Sequence, residues 1–180
     1  MRPCYSLGCA WSRVALLRTR EDLPDGGALG DRRLALKAVA GASYTFDVGN
    51  GLTVIGEYHY SGFGLRDVDE LAPGGLDARE TERFIARMTR GDSQILGRHA
   101  LGVQFSYPVD DRGAASLLVL ASPRDGSGLI SPGMHWNVGS SASFRVNTFI
   151  PWGAGPEDAR PGSEYGATPM SLTAQLSIHF

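Results

Sequence analysis

The chain has 180 residues, 17 basic and 19 acidic side chains and a net charge of −2, enough for one domain or part of a larger one and too little positive charge for a nucleic-acid surface. Mean hydropathy is −0.13, and no apolar run approaches the roughly 18–20 residues of a membrane helix. A helical membrane protein is thereby excluded, whereas a β-barrel, whose strands are half polar, stays open.

Residues 1–33 read as a weakly ordered N-terminal segment with one possible strand around Trp11–Arg18, where Arg13 and Arg18 fall on opposite faces. The only cysteines, Cys4 and Cys9, read as incidental thiols, because a bridge would need an oxidising compartment. From residue 34 a two-residue period takes over. Leu34, Leu36, Ala38, Ala40, Ala42, Tyr44 and Phe46 share one parity, opposed by Lys37, Gly41, Ser43, Thr45 and Asp47. Successive strand side chains point to opposite faces, so this is a strand with one apolar and one polar wall. Gly49-Asn50-Gly51 is a hairpin turn. The next strand sets Leu52, Val54, Gly56, Tyr58 and Tyr60 against Thr53, Glu57, His59 and Ser61, with Ile55 out of pattern.

A polar stretch, residues 62–97, holds one helix at Asp77–Arg90, with acids early and arginines late to suit the helix dipole. Beyond it Leu101, Val103, Phe105 and Tyr107 oppose Ala100, Gly102, Gln104 and Ser106. Strands then follow through Ala115–Ala121, Ile130–Val138, Ala142–Trp152 and Met170–Phe180. Runs of about 9–13 residues exceed the usual soluble length of about 5–6 and match tilted membrane strands.

The links alternate between long and short, the habit of barrels with short turns at one rim and long loops at the other. That places Tyr44, Phe46, Phe105, Tyr107, Trp136 and Phe180 near the short-turn rim and Tyr58, Tyr60 and Trp152 near the opposite rim. Two aromatic belts around a Leu, Val, Ile and Ala band are what membrane interfaces select.

The last ten residues, Ser171-Leu172-Thr173-Ala174-Gln175-Leu176-Ser177-Ile178-His179-Phe180, resemble the C-terminal recognition strand of bacterial outer-membrane β-barrel proteins, which ends in Phe with apolar residues at every second place. Gly56-Glu57-Tyr58-His59-Tyr60 and Leu96-Gly97-Arg98-His99 are similar to strands of porin-like members of that group. The resemblance implies the bacterial outer membrane, the lipid bilayer and the outer-membrane assembly machinery as partners, the latter through the strand ending in Phe180. No signal peptide is recognisable, since Pro3, Ser6 and Arg13 interrupt the apolar core it needs. The chain therefore reads as truncated, the C-terminal portion of a longer barrel.

The fold expected is all-β: an antiparallel transmembrane barrel of about eight strands in this chain, seven of them over residues 34–180 and a weaker one around Trp11–Arg18, with 62–97 as a long outer loop and further strands upstream if the barrel is larger. The lumen-lining set is Lys37, Glu57, His59, Arg98, Gln104, Arg145, Asn147 and Gln175, with Asp47, His135 and His179 on the same parity. Passive, porin-like solute passage or a structural barrel is the function expected, with no enzyme activity, no cofactor and no metal. The rivals are a barrel-embedded hydrolase and a soluble lipocalin-like binding barrel. For the hydrolase, Glu57, His59 and Ser61 share a face, but two-residue spacing separates them by about 6–7 Å, a gap that only long side chains bridge, and no nucleophile motif accompanies them. His59, His99, His135 and His179 lack the paired spacing of zinc ligands.

Overall fold

The computed structural model describes residues 8–18, 34–71, 75–89, 91, 95–139, 141–157 and 160–178. Eight antiparallel strands form one sheet in chain order: β1 (Gly8–Arg18), β2 (Leu34–Phe46), β3 (Leu52–Ser61), β4 (His99–Pro108), β5 (Gly113–Ala121), β6 (Gly128–Val138), β7 (Ala142–Trp152) and β8 (Ser171–Ile178). Between β3 and β4 lie a 3-10 turn at Val68–Leu71 and the helix α1 (Ala78–Thr89). The all-β class and the strand positions follow the alternation, and β1 starts three residues earlier than the sequence suggests.

The closed barrel expected from the sequence is corrected by the structure. Among the described residues β1 pairs with β2 alone and β8 with β7 alone, so the sheet is open and these two strands are its edges. The physical reason is that alternation fixes which side chains share a wall. Closure depends on strand number, tilt and stagger together, and a two-residue period carries none of these.

Register makes the two walls explicit. One row reads Ala42, Gly56, Val103, Val119, Ile130, Ile150 from β2 to β7. Its neighbour reads Tyr44, Val54, Phe105, Leu117, Pro132. On the opposite wall a row reads Thr45, Thr53, Ser106, Ser116, Gly133, Asn147, Thr173, and the Thr45 and Thr53 hydroxyls bond at 3.0 Å. A one-residue slip would exchange the walls of a whole strand, so this agreement across seven strands specifies the register.

Each of the three tryptophans faces a glycine on the paired strand: Trp11 opposite Gly41, Trp136 opposite Gly113 and Trp152 opposite Gly128. A β-carbon at any of these glycines would overlap the indole. The ring fills the space that the missing side chain leaves, an aromatic–glycine device known to pin strand register. At the short-turn rim, Gly49 and Gly51 take positive φ, a conformation glycine adopts without the usual steric cost. Asn50 donates from its side chain to the carbonyls of Pro108 and Val109 at 3.1 and 2.7 Å, tying the first short turn to the second.

The buried apolar core does not lie between two sheets. Phe63 and Leu65 follow β3, Phe84 comes from α1, and Ala35, Ala100 and Leu129 sit at the strand ends nearest them. Asp77 caps α1: the Glu80 amide donates to its carboxylate at 2.8 Å, and its own amide donates to the Glu80 side chain at 3.1 Å, a reciprocal capping box. The capped helix lays buried Phe84 and Arg87 inward, with the Arg87 guanidinium 5.0 Å from the centre of the Phe63 ring.

Candidate functional site

The connections at the long-link rim lock together into a cap. Leu65 donates its amide to the Leu96 carbonyl at 2.7 Å, and Arg98 Nε donates to the Gly64 carbonyl at 3.1 Å. Glu164, from the β7–β8 connection, accepts the Leu96 and Gly97 amides, one on each carboxylate oxygen, at 2.7 and 2.6 Å. Its own amide donates to Asp125 of the β5–β6 connection at 2.7 Å, and Asp125 also accepts the Ser127 amide and hydroxyl. Two carboxylates thus strap three separate connections to one another. At the outer side Arg124 and Asp67 pair at 3.1 Å, half exposed, where such a pair stabilises little.

The cap roofs a cavity of about 420 Å³ on the polar wall. Its floor is Ile55, Glu57 and His59 of β3, Ala100 and Gln104 of β4, and Leu118 and Leu120 of β5. Ile95, Glu164 and Tyr165 reach it from the cap. His59 Nε2 donates to Glu57 at 3.1 Å, so these side chains bridge the two-residue spacing. Both are long enough to lean together along the strand. Ser61, third on that face, is buried at the strand end.

The electrostatics of the strap follow from burial. Burial pushes the Glu164 carboxyl above its usual range and the nearby Asp125 charge adds to this, against the pull of the Gly97 and Leu96 amides. Burial also opposes ionisation of Asp125. There the amides of Glu164 and Ser127, with the Ser127 and Ser122 hydroxyls, outweigh it and hold the carboxyl below its usual range. Burial, then repulsion from Glu164 and Asp125, pushes the Tyr165 phenol up to about 12.

Opposite pH behaviour results. Asp125, lowered on folding, adds stability above the unfolded aspartate range that is lost as pH falls through its folded pKa. Glu164, raised on folding, costs stability when charged, and that cost vanishes as pH falls through its folded pKa. Mild acidification from neutral is therefore expected to raise stability by relieving the buried Glu164 charge, and loss begins only below about pH 4, the ordinary aspartate range. Hydrogen exchange of the Glu164 amide across that window checks the order. Glu164→Ala leaves two backbone donors without their acceptor and is expected to cost about 1–3 kcal/mol, read as faster exchange at Leu96 and Gly97 with the strand amides unchanged.

The sequence-derived residues divide by position. Lys37, Glu57, His59, Gln104, Arg145, Asn147 and Gln175 all share the polar wall, but only Glu57, His59 and Gln104 meet in the cavity. Arg145 and Gln175 pair with each other and His135 pairs with Arg145, near the short-turn rim, and Arg98 serves the cap. Among the aromatics Tyr44 and Phe46 pack edge to face at 4.7 Å. Tyr58 shares a 2.6 Å hydrogen bond with His99, and Tyr60 tilts against the same imidazole. Trp152 donates to the Gly126 carbonyl at 3.0 Å, Phe105, Tyr107 and Trp136 lie on the apolar wall, and Phe180 and His179 are outside the described residues. Glu164, Tyr165 and Asp125 were not singled out from the sequence, because nothing local marks a loop carboxylate as the acceptor for amides 67 and 68 residues away. Cys9, read as a free thiol, is disulfide-bonded. Among the described residues no three His, Cys, Asp or Glu side chains group as a metal site. Comparison with known proteins finds no match: no family model, no curated protein and no solved structure is similar to this chain.

Proposed function

We propose that this sheet belongs to a β-barrel of a bacterial outer membrane, its apolar wall toward lipid and its polar wall around a lumen through which small solutes pass passively. One observation carries the reading: among the described side chains, every large hydrophobic one exposed within a strand lies on the same wall, from Val14 and Leu36 through Leu101, Met134 and Ile150 to Leu172 and Leu176. Edge residues Val14 and Leu172 are 70% and 69% exposed. Eight strands about 4.8 Å apart and about 30 Å long give this wall an area on the order of 1,000 Å², beyond the roughly 300–600 Å² of a soluble monomer's largest patch. The cap and cavity occupy the other wall, so nothing in the described chain covers this one.

Two further features support the reading. A disulfide at Cys9 suits an oxidising compartment. The free edges suit a barrel, because unpaired backbone groups cost several kcal/mol each in hydrocarbon; in a bilayer β1 and β8 must pair with each other or with further strands. A soluble lipocalin-like barrel would instead turn the apolar wall inward.

The test is refolding from denaturant into detergent and then into planar bilayers. Heat-modifiable gel migration with discrete conductance steps is the expected result. Retention in the aqueous fraction, with identical migration before and after boiling, contradicts the membrane reading. Heat-modifiability without conductance contradicts passage alone.

A further inference from the structure

We propose that the cavity beneath the cap is a binding site for a small amphipathic amine, its protonated nitrogen held by Glu57 and its hydrocarbon body laid against Ile55, Leu118 and Leu120. Its 420 Å³ lies within the roughly 300–1,000 Å³ of small-molecule sites, which are mostly apolar with a few convergent polar groups. That is the composition here. Ile55, Ile95, Ala100, Leu118 and Leu120 make the apolar surface, and Glu57, His59, Gln104, Glu164 and Tyr165 the polar one.

Charge selects the ligand. Among the described residues two carboxylates line the cavity and no lysine or arginine does, so an anion meets repulsion. Glu164 already accepts a backbone amide on each oxygen. Glu57 accepts His59 on one oxygen, which leaves the other for a donor. Of the cations nearest on this wall, Arg98 is turned to the Gly64 carbonyl, and Lys37 sits in the row of Ser61 beyond the lining. A carbohydrate, with hydroxyls all round, would strand them against the leucine and isoleucine floor. An amine with a short apolar body satisfies both parts. Ile55, Leu118 and Leu120, three of the out-of-pattern apolar residues of the polar wall, acquire a purpose as that floor.

The site rests on the cavity and not on membrane placement, so its test is separable from conductance. Titration calorimetry at neutral pH on the detergent-solubilised protein compares phenethylamine, phenethyl alcohol and phenylacetate. The amine is expected to bind at least tenfold more tightly than the alcohol, and phenylacetate not at all. Glu57→Gln is expected to abolish the preference for amine over alcohol, while Glu82→Gln on the exposed side of α1 preserves it. Leu118→Trp, which fills the cavity and keeps Glu57, is expected to abolish amine binding by itself. Equal affinity for amine and alcohol, a preference that survives Glu57→Gln, or binding that survives Leu118→Trp overturns the proposal, whether or not the chain conducts.

Discussion

Arginine at Val119 is expected to prevent assembly in a bilayer, while arginine at Ser116, three positions away on β5, is tolerated. Val119 sits on the apolar wall in the row of Val103 and Ile130, between the row that carries Phe105 and the row that carries Tyr58. In the proposed barrel this is lipid near the midplane, where a lipid-facing Arg costs about 2–4 kcal/mol. That is a large share of the 5–15 kcal/mol by which proteins are stable. Ser116 is exposed on the polar wall beside Ser106 and Gly133, and a guanidinium there reaches water. The readout is the folded fraction in vesicles, scored by heat-modifiable migration. Equal yields for the two variants, as for a sheet bathed in solvent on both sides, would argue against lipid on the apolar wall.

Gly128→Val is the second substitution with a large expected effect. A β-carbon at Gly128 would fall within the Trp152 ring and crowd the Leu120 carbonyl oxygen. The carbonyl belongs to a paired strand and cannot retreat, and the indole is fixed by its bond to the Gly126 carbonyl. Overpacking of this kind typically costs 1–3 kcal/mol, and the upper end is expected because both obstacles are held. Gly56→Ala is the matched control: a β-carbon there meets nothing within 4 Å, and alanine avoids the roughly 0.5–1 kcal/mol conformational penalty of a strand glycine. Urea unfolding should show a lower midpoint for Gly128→Val and an unchanged or higher one for Gly56→Ala. A Gly128→Val midpoint equal to that of the unsubstituted protein would mean that the Trp152–Gly128 contact does not set register.

These two cases also show what the sequence can and cannot convey. Val119 and Ser116 fall on opposite walls by parity alone, and parity placed β2 to β8, whereas β1, with an arginine on each face, stood out only weakly. The helix was legible for a similar local reason, since Asp77, Glu80 and Glu82 stand at its start and Arg87 and Arg90 at its end. The pairing of Trp152 with Gly128 was not legible, because it depends on register between strands. The Glu164 strap was hidden for the same reason on a longer scale. The meeting of Glu57 with His59 was left open by the sequence, because backbone spacing does not say how far long side chains lean. Ile55, Leu118 and Leu120 were visible only as breaks in alternation, and the cavity they floor needed the cap to form.

In the proposed barrel one wall of this sheet faces lipid. A nitroxide scan along β7, from Ala142 to Trp152, measures it directly in vesicles by comparing collision with oxygen and with a water-soluble nickel complex. Oxygen access is expected to peak at Phe144, Val146, Thr148 and Ile150, and nickel access at Ser143, Arg145, Asn147 and Phe149, a two-residue period with the two reagents out of phase. Strong nickel access at Val146 and Ile150, in phase with Arg145 and Asn147, would contradict the account.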